Sequence, residues 1–270
     1  MSQQPAPRQG PIRRIAGDWH VIPGWLPVPD LGVLPVNAFL LAGPEPMLVD
    51  TGLAALSDAF VAALAARIDP ADLRYIWLSH TDADHIGNLD RILDLAPNAR
   101  VVTNFLGAGK MQLLGKGDPA RLHLLQPGEV FEVGGHRLHQ VRPPYYDAPE
   151  TMGFFDPVDR AYFAADAFGA LLPAEAASVD EIAAETLRDG LVGWSSVDAP
   201  WLAHMDQPTL GRMLSGLERL APEHLLSGHL PDARGLAPLT SVIRHAYARG
   251  TTDAVPPETI RQIETLLTRS

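Results

Sequence analysis

The chain contains no cysteine. That removes disulfides, thiolate nucleophiles, zinc ribbons and iron–sulfur clusters from consideration, since each needs sulfur from the protein. It also lacks a basic excess: 21 Lys and Arg stand against 32 Asp and Glu, a formal charge of -11. An acidic chain has no electrostatic reason to bind nucleic acid or an anionic membrane surface. No apolar run approaches the ~18 residues of a membrane span. The N-terminal MSQQPAPRQGPIRR has no apolar core of the kind a secretion signal needs, so the expected setting is cytoplasmic. Solenoid repeats and low-complexity linkers are absent as well.

What remains is an ordinary globular composition. The chain has 270 residues, 46% of them hydrophobic, enough to bury a full core. Residues 1–14 read as a flexible tail and residues 15–270 as a single domain ending in C-terminal helices. Trp19 to Pro35 is dense in Pro and Gly and reads as a short strand mixed with turns. Val36–Ala42 and Met47–Val49 flank Gly43-Pro44-Glu45-Pro46 as a strand–turn–strand unit. Ala54–Ile68 has helical spacing, Leu73–Leu78 reads as a buried strand and Ile86–Leu95 as a helix stopped by Pro97. A strand begins at Val101–Val102, and Phe105–Leu114 is helical. Glu129–Val133 and Arg137–Val141 form a hairpin about Gly134-Gly135. Phe154–Phe155 and Ala161–Ala165 repeat the pairing. From Asp180 the chain reads as helical apart from a strand at Leu225–Ser227. Strands alternate with helices in each half, which predicts an α/β fold of four layers, helix–sheet–sheet–helix.

The chemistry concentrates in Ser79-His80-Thr81-Asp82-Ala83-Asp84-His85. A buried strand ends at His80 and a helix is expected to begin near His85. On an extended segment, residues two apart point the same way, so His80, Asp82 and Asp84 can converge while His85 enters from the side. Imidazole and carboxylate at this density are ligands for a divalent metal; the plainer alternative is a hydrated acidic turn with Asp84 as a helix cap. Other metal and nucleotide patterns fail on spacing. Ile86 occupies the third-ligand position of an EF-hand loop, the zincin arrangement of His and Glu is absent, and Gly107-Ala108-Gly109-Lys110 lacks the Ser or Thr of a P-loop.

The segment His80-Thr-Asp82-Ala-Asp84-His85 resembles the HxHxDH signature of the metallo-β-lactamase superfamily, with Asp82 in the middle position. A carboxylate there is the mark of the flavodiiron and oxygen-binding diiron branch, whose motif is HxExDH. Leu48-Val49-Asp50-Thr51-Gly52 resembles the superfamily's early Asp motif, and Leu89 to Val102 resembles the helix and strand after the signature in the diiron branch. Ala165-Asp166-Ala167-Phe168-Gly169 resembles the strand end of the bridging aspartate, and Ser227-Gly228-His229 that of the last histidine. One position departs: Pro144-Tyr145-Tyr146-Asp147-Ala148-Pro149-Glu150-Thr151-Met152 places Asp147 where the family has histidine. His136 and His139 lie nearby but before that turn, and read as structural or surface residues.

The resemblance implies two divalent ions, iron foremost and zinc or manganese as alternatives. His80, Asp82 and Asp147 would hold one; Asp84, His85 and His229 would hold the other; Asp166 would bridge them. Asp84 and Tyr146 are the candidate catalytic residues, with Tyr145 and Tyr146 also read as pocket lining or plain packing. Four carboxylates match two dications, which matters because unpaired buried charge is costly. Two function classes follow. One is a diiron oxidoreductase that binds or reduces dioxygen or nitric oxide. The other is a hydrolase of an ester, thioester, lactone or phosphoester, using a metal-bridging hydroxide. A third, non-catalytic reading is a gas or metal sensor that signals through a partner. No flavin site is expected in this chain, so electrons would come from an external donor protein. The other partners expected are a small-molecule substrate or diatomic gas, and a second copy in a homodimer.

Overall fold

A computed structural model describes residues 6–248. Eight strands form the first sheet: β1 (Arg8–Gln9), β2 (Arg13–Ala16), β3 (Trp19–Val28), β4 (Gly32–Leu41), β5 (Met47–Val49), β6 (Tyr75–Trp77), β7 (Arg100–Thr103) and β8 (Leu122–Leu124). Its order is β1-β3-β4-β5-β6-β7-β8, with β2 also paired to β3. Six strands form the second: β9 (Val130–Val133), β10 (His136–Gln140), β11 (Phe154–Asp156), β12 (Ala161–Phe163), β13 (His224–Leu226) and β14 (Ala233–Arg234), in the order β14-β13-β12-β11-β10-β9.

Three apolar clusters define four layers. Trp19, Phe39, Trp77, Phe154 and Phe163 interlock between the sheets. On the outer side of the first sheet, Phe60 of α1 (Ser57–Ala65), Ile92 of α2 (Leu89–Leu95) and Met111 of α3 (Phe105–Leu113) pack on β-strand residues such as Leu40 and Ile76. Against the second sheet lie α4 (Ala184–Asp198), α5 (Gln207–Glu218) and α6 (Ala237–Ala246), through Leu191, Leu214 and Ile243. The expected helix–sheet–sheet–helix sandwich is the fold. No helix among the described residues is long and apolar enough to cross a membrane.

Several local expectations differ. The stretch read as a loose tail is paired from Arg8, with Arg8 opposite Trp25 and Arg13 opposite Val21. The Pro-rich stretch from Trp19 to Pro35 is not a short strand with turns: it belongs to the two longest strands, β3 and β4, in continuous register. Pro23 and Pro27 fall outside the short pairings of β3 with β1 and β2, and Pro35 lies beyond the end of β5. Those strand sides are edges, where a missing N–H leaves no ladder bond unmade. Residues 249–270, expected to be helical, lie outside the described residues, as do residues 1–5.

Candidate metal centre

The strand ends decide the site. Asp50 follows β5, Ser79 and His80 follow β6, Asp166 follows β12 and His229 follows β13. Parallel pairing of β5 with β6, and of β12 with β13, brings each pair of loops out on the same end of its sheet. Contacts across the sandwich then join the two sets: the Asn37 N–H donates to the Gly228 carbonyl at 2.8 Å, and the Asn37 side-chain amide donates to Ser227 O and Leu230 O. Gly228 makes a close approach to the cluster. A Cβ there would stand 3.0 Å from His85 Cε1 and 3.1 Å from Asp166 Oδ1.

All seven residues singled out from the sequence converge. Asp166 is the hub: its carboxylate oxygens lie 3.3 Å from His80 Nε2, 3.1 Å from His85 Nε2 and 3.4 Å from His229 Nε2. Asp84 Oδ2 is 3.6 Å from His85 Nε2 and 3.5 Å from His229 Nε2. Asp147 Oδ2 is 3.7 Å from His80 Nε2. Asp82 joins His80 and Asp147 in one group with atoms within 4.8 Å of one another. Two ligand atoms bound at about 2.1 Å to one ion, 90° apart, are separated by about 3 Å, so these spacings suit shared ions. Two three-residue groups appear, His80–Asp82–Asp147 and Asp84–His85–His229, with His80–His85–Asp166 between them.

The orphaned atoms test the fit. His80 Nε2, His85 Nε2 and Asp166 Oδ1 are buried without a hydrogen-bond partner. Buried polar groups are nearly always satisfied, and these three atoms face one space. The opposite ring nitrogens are occupied. His85 Nδ1 is 2.9 Å from Asp50 Oδ2, and His229 Nδ1 is 2.7 Å from the Pro35 carbonyl. Both partners only accept, so both rings carry the proton on Nδ1. Ser79 Oγ donates to Asp50 Oδ2 at 2.7 Å, which leaves it to accept from His80 Nδ1 at 2.9 Å. All three imidazoles thus present an Nε2 lone pair to the centre, as metal-binding histidines require.

Protons and metal compete for those Nε2 positions: burial alone would favour neutral histidines, yet Asp166 and Asp84 hold His229 up at about 9 and raise His85 well above its usual value, so an Nε2 proton must leave before a metal binds there. Burial would also raise Asp166, but the three histidines hold it well below the carboxylate range. The hub carboxylate demands cationic neighbours.

The loop bearing Asp147 is fastened to the strand end bearing His80. Met152 N donates to Ser79 O at 2.8 Å, Thr81 Oγ1 to Glu150 Oε1 at 2.9 Å, and Asn104 Nδ2 to Glu150 O at 2.7 Å. Tyr145 is core: fully buried, its hydroxyl accepts from Phe168 N at 2.7 Å. Phe168 and Ala165, flanking Asp166, both sit at positive φ, 64° and 48°, a strain of order 1–3 kcal/mol each. Tyr146 packs at a tilt against Trp201, with Arg142 5.0 Å over its ring. His85 lies in a turn; the helix expected there begins at Leu89. His136 hydrogen-bonds Asp156 at 2.8 Å, away from the seven-residue cluster.

Sequence reasoning missed the anchoring role of Asp50, although its signal was present: an aspartate ending an apolar strand before Thr and Gly. It missed Asp198 and Trp194 on α4 entirely. Trp194 lies 4.9 Å from the His229 ring, and no local pattern marks either residue.

Comparison with known proteins agrees with the fold. Residues 31–202 match the model of the metallo-beta-lactamase superfamily, and the chain belongs to that superfamily. Several of the curated proteins it resembles are described as diflavin flavoproteins and one as a flavo-diiron protein. It is 34% identical over 139 residues to a protein of Thermosynechococcus vestitus described as diflavin flavoprotein A 1, covering 50% of this chain and 24% of that one. A flavo-diiron protein of Clostridium acetobutylicum is 24% identical over 134 residues, covering 49% of this chain and 34% of that one. The alignments therefore span only about a quarter to a third of these relatives. The rubredoxin oxygen:oxidoreductase of Desulfovibrio gigas shares the fold with a TM-score of 0.76 at 19% identity, over 88% of this chain and 61% of that one.

Proposed function

We propose that this chain is a diiron oxidoreductase that binds or reduces dioxygen or nitric oxide with electrons from a separate donor protein. The observation that carries the reading is the convergence of three Nε2-presenting histidines on carboxylates alone, with Asp82 in the group beside His80. A sulfur-free, oxygen-rich donor set suits iron or manganese. Asp82 adds an anion where an imidazole would be neutral. It lowers the Lewis acidity available to a hydrolytic water and favours the higher oxidation state. The relative described as a flavo-diiron protein supports the same choice.

His80, Asp82, Asp147, Asp84, His85, His229 and Asp166 would hold the iron, whose ferrous–ferric couple would serve to pass the donor's electrons to the gas. The chain's own groups orient and insulate. Asp50, Ser79 and the Pro35 carbonyl hold the three imidazoles in one tautomer. Asp166 neutralises both halves of the site at once. Asp82 and Asp147 are the solvent-facing members, so small molecules would approach from their side.

The test is metal analysis of protein purified without oxygen, followed by gas uptake. Iron-loaded, reduced protein should hold two ions per chain and consume dioxygen or nitric oxide when given a reductant. Efficient turnover of a lactone, thioester or phosphodiester by zinc- or iron-loaded protein, with no gas response, would overturn the redox reading in favour of hydrolysis.

A further inference from the structure

We propose that Asp198 is an additional metal ligand, closing the half of the centre that contains His80 and Asp147. The inference rests on the dinuclear reading above and extends it to a residue on a different element. Asp198 is the last residue of α4. One oxygen each of Asp147, Asp166 and Asp198 lie within 4.8 Å of one another. His80, whose side chain is fully buried, aims its unpartnered Nε2 into the same space, 3.3 Å from Asp166 Oδ2 and 3.7 Å from Asp147 Oδ2.

Three independent features make Asp198 anomalous without a cation. Its Oδ2 is buried with no hydrogen-bond partner. It stands at a helix C-terminus, where the backbone carbonyls already present negative potential, the least favourable end for a carboxylate. It also faces two other carboxylates. A group so placed destabilises the fold unless positive charge meets it.

The geometry also explains why a second carboxylate is useful here. Asp147 Oδ2 stands 3.7 Å from His80 Nε2, farther than Asp166 Oδ2 at 3.3 Å from the same atom. Aspartate is shorter than the histidine expected at that position, so Asp147 reaches less far from its loop. Asp198 approaches from α4, and the chain just past α4 is tied to the Asp147 loop: Trp201 Nε1 donates to Tyr146 O at 3.0 Å. Trp194, one turn before Asp198, packs on His229 and sets α4 against the centre.

The test compares wild type with Asp198→Asn and Asp198→Ser, each loaded separately with ferrous iron and with manganese. The readouts are ion count, affinity by competition with a chelator, and thermal midpoint with and without metal. Asn keeps the shape and removes the charge. The expected result is at least a tenfold loss of affinity for one of the two ions, with the other within about threefold of wild type. Metal-free Asp198→Asn should melt no lower than metal-free wild type, and its gain in midpoint on metal loading should be smaller. A merely structural role would lower the metal-free midpoint and leave both affinities alone, and that result overturns the proposal. If Asn fails to fold, Ser carries the same comparison. Wild type binding no ion pair would sink the dinuclear reading. Wild type binding two ions, with both variants unchanged in affinity, sinks only the role of Asp198.

Discussion

Asp50→Asn is the most informative single change, because Asp50 contacts the centre only through other residues. Its carboxylate is 1% exposed and accepts three hydrogen bonds: from Ser79 N at 2.8 Å, Ser79 Oγ at 2.7 Å and His85 Nδ1 at 2.9 Å. The residue sits at φ 58°, a conformation asparagine tolerates well, so the backbone should hold. The amide must then present NH2 to one side. Facing Ser79 N–H it meets a donor that cannot adapt, leaving that group unsatisfied at about 1–3 kcal/mol. Facing His85 it forces the ring to accept at Nδ1, which moves the proton to Nε2 and points it at the metal position. Restoring the binding tautomer then opposes metal uptake. Losing a partner of this kind typically weakens metal binding about 10–100-fold, which is about 1.4–2.7 kcal/mol. Chelator competition on iron- and manganese-loaded protein measures the loss, and nitrogen-15 NMR of the metal-free protein reads the tautomer directly. Affinities within twofold of wild type, with the His85 proton still on Nδ1, would refute the reasoning.

Three further outcomes are expected. Asp166→Asn removes the carboxylate that touches all three histidines, so elemental analysis should fall from two ions per chain toward one; an unchanged count would contradict the bridging role. Gly169→Ala would place a Cβ 2.5 Å from Trp194 Cδ1 and 2.7 Å from His229 Cβ. It should lower the denaturant midpoint by the equivalent of roughly 1–3 kcal/mol and alter tryptophan fluorescence; an unshifted midpoint would mean α4 is not packed as described. The third concerns His136 and Asp156. The hydrogen bond to Asp156 raises His136, while burial would raise Asp156 but His136 and Trp19 outweigh it and lower it. The His136 contribution is therefore full below its unfolded value of 6.5 and fades as pH rises through the folded value. The Asp156 contribution is full above 3.8 and fades as pH falls through its folded value. The stability gap between wild type and His136→Gln, from urea unfolding, should be larger at about pH 5.5 than at about pH 8.5. A gap independent of pH would exclude the ion pair.

Much of this protein was legible in order along the chain. Apolar alternation and turn residues placed most strands and helices, because one buried face leaves a periodic trace. The dense segment from His80 to His85 announced a metal site, because ligands on an extended turn are close in sequence as well as in space. Asp166 and His229 were reachable only through resemblance, since each is a lone residue after a short strand. Other features had no local trace at all. The Pro-rich stretch from Trp19 to Pro35 is extended because β3 and β4 pair along its length while their other neighbours stop short of its prolines, a fact of sheet order rather than of propensity. The tautomers of His80, His85 and His229 depend on Asp50, Ser79 and the Pro35 carbonyl, partners contributed by strand ends far apart in the chain. Asp198 looks from its neighbours like any polar helix end. Only the packing of α4 over the strand ends buries its carboxylate against Asp147 and Asp166, because charge becomes decisive when water is excluded, and tertiary contacts do the excluding.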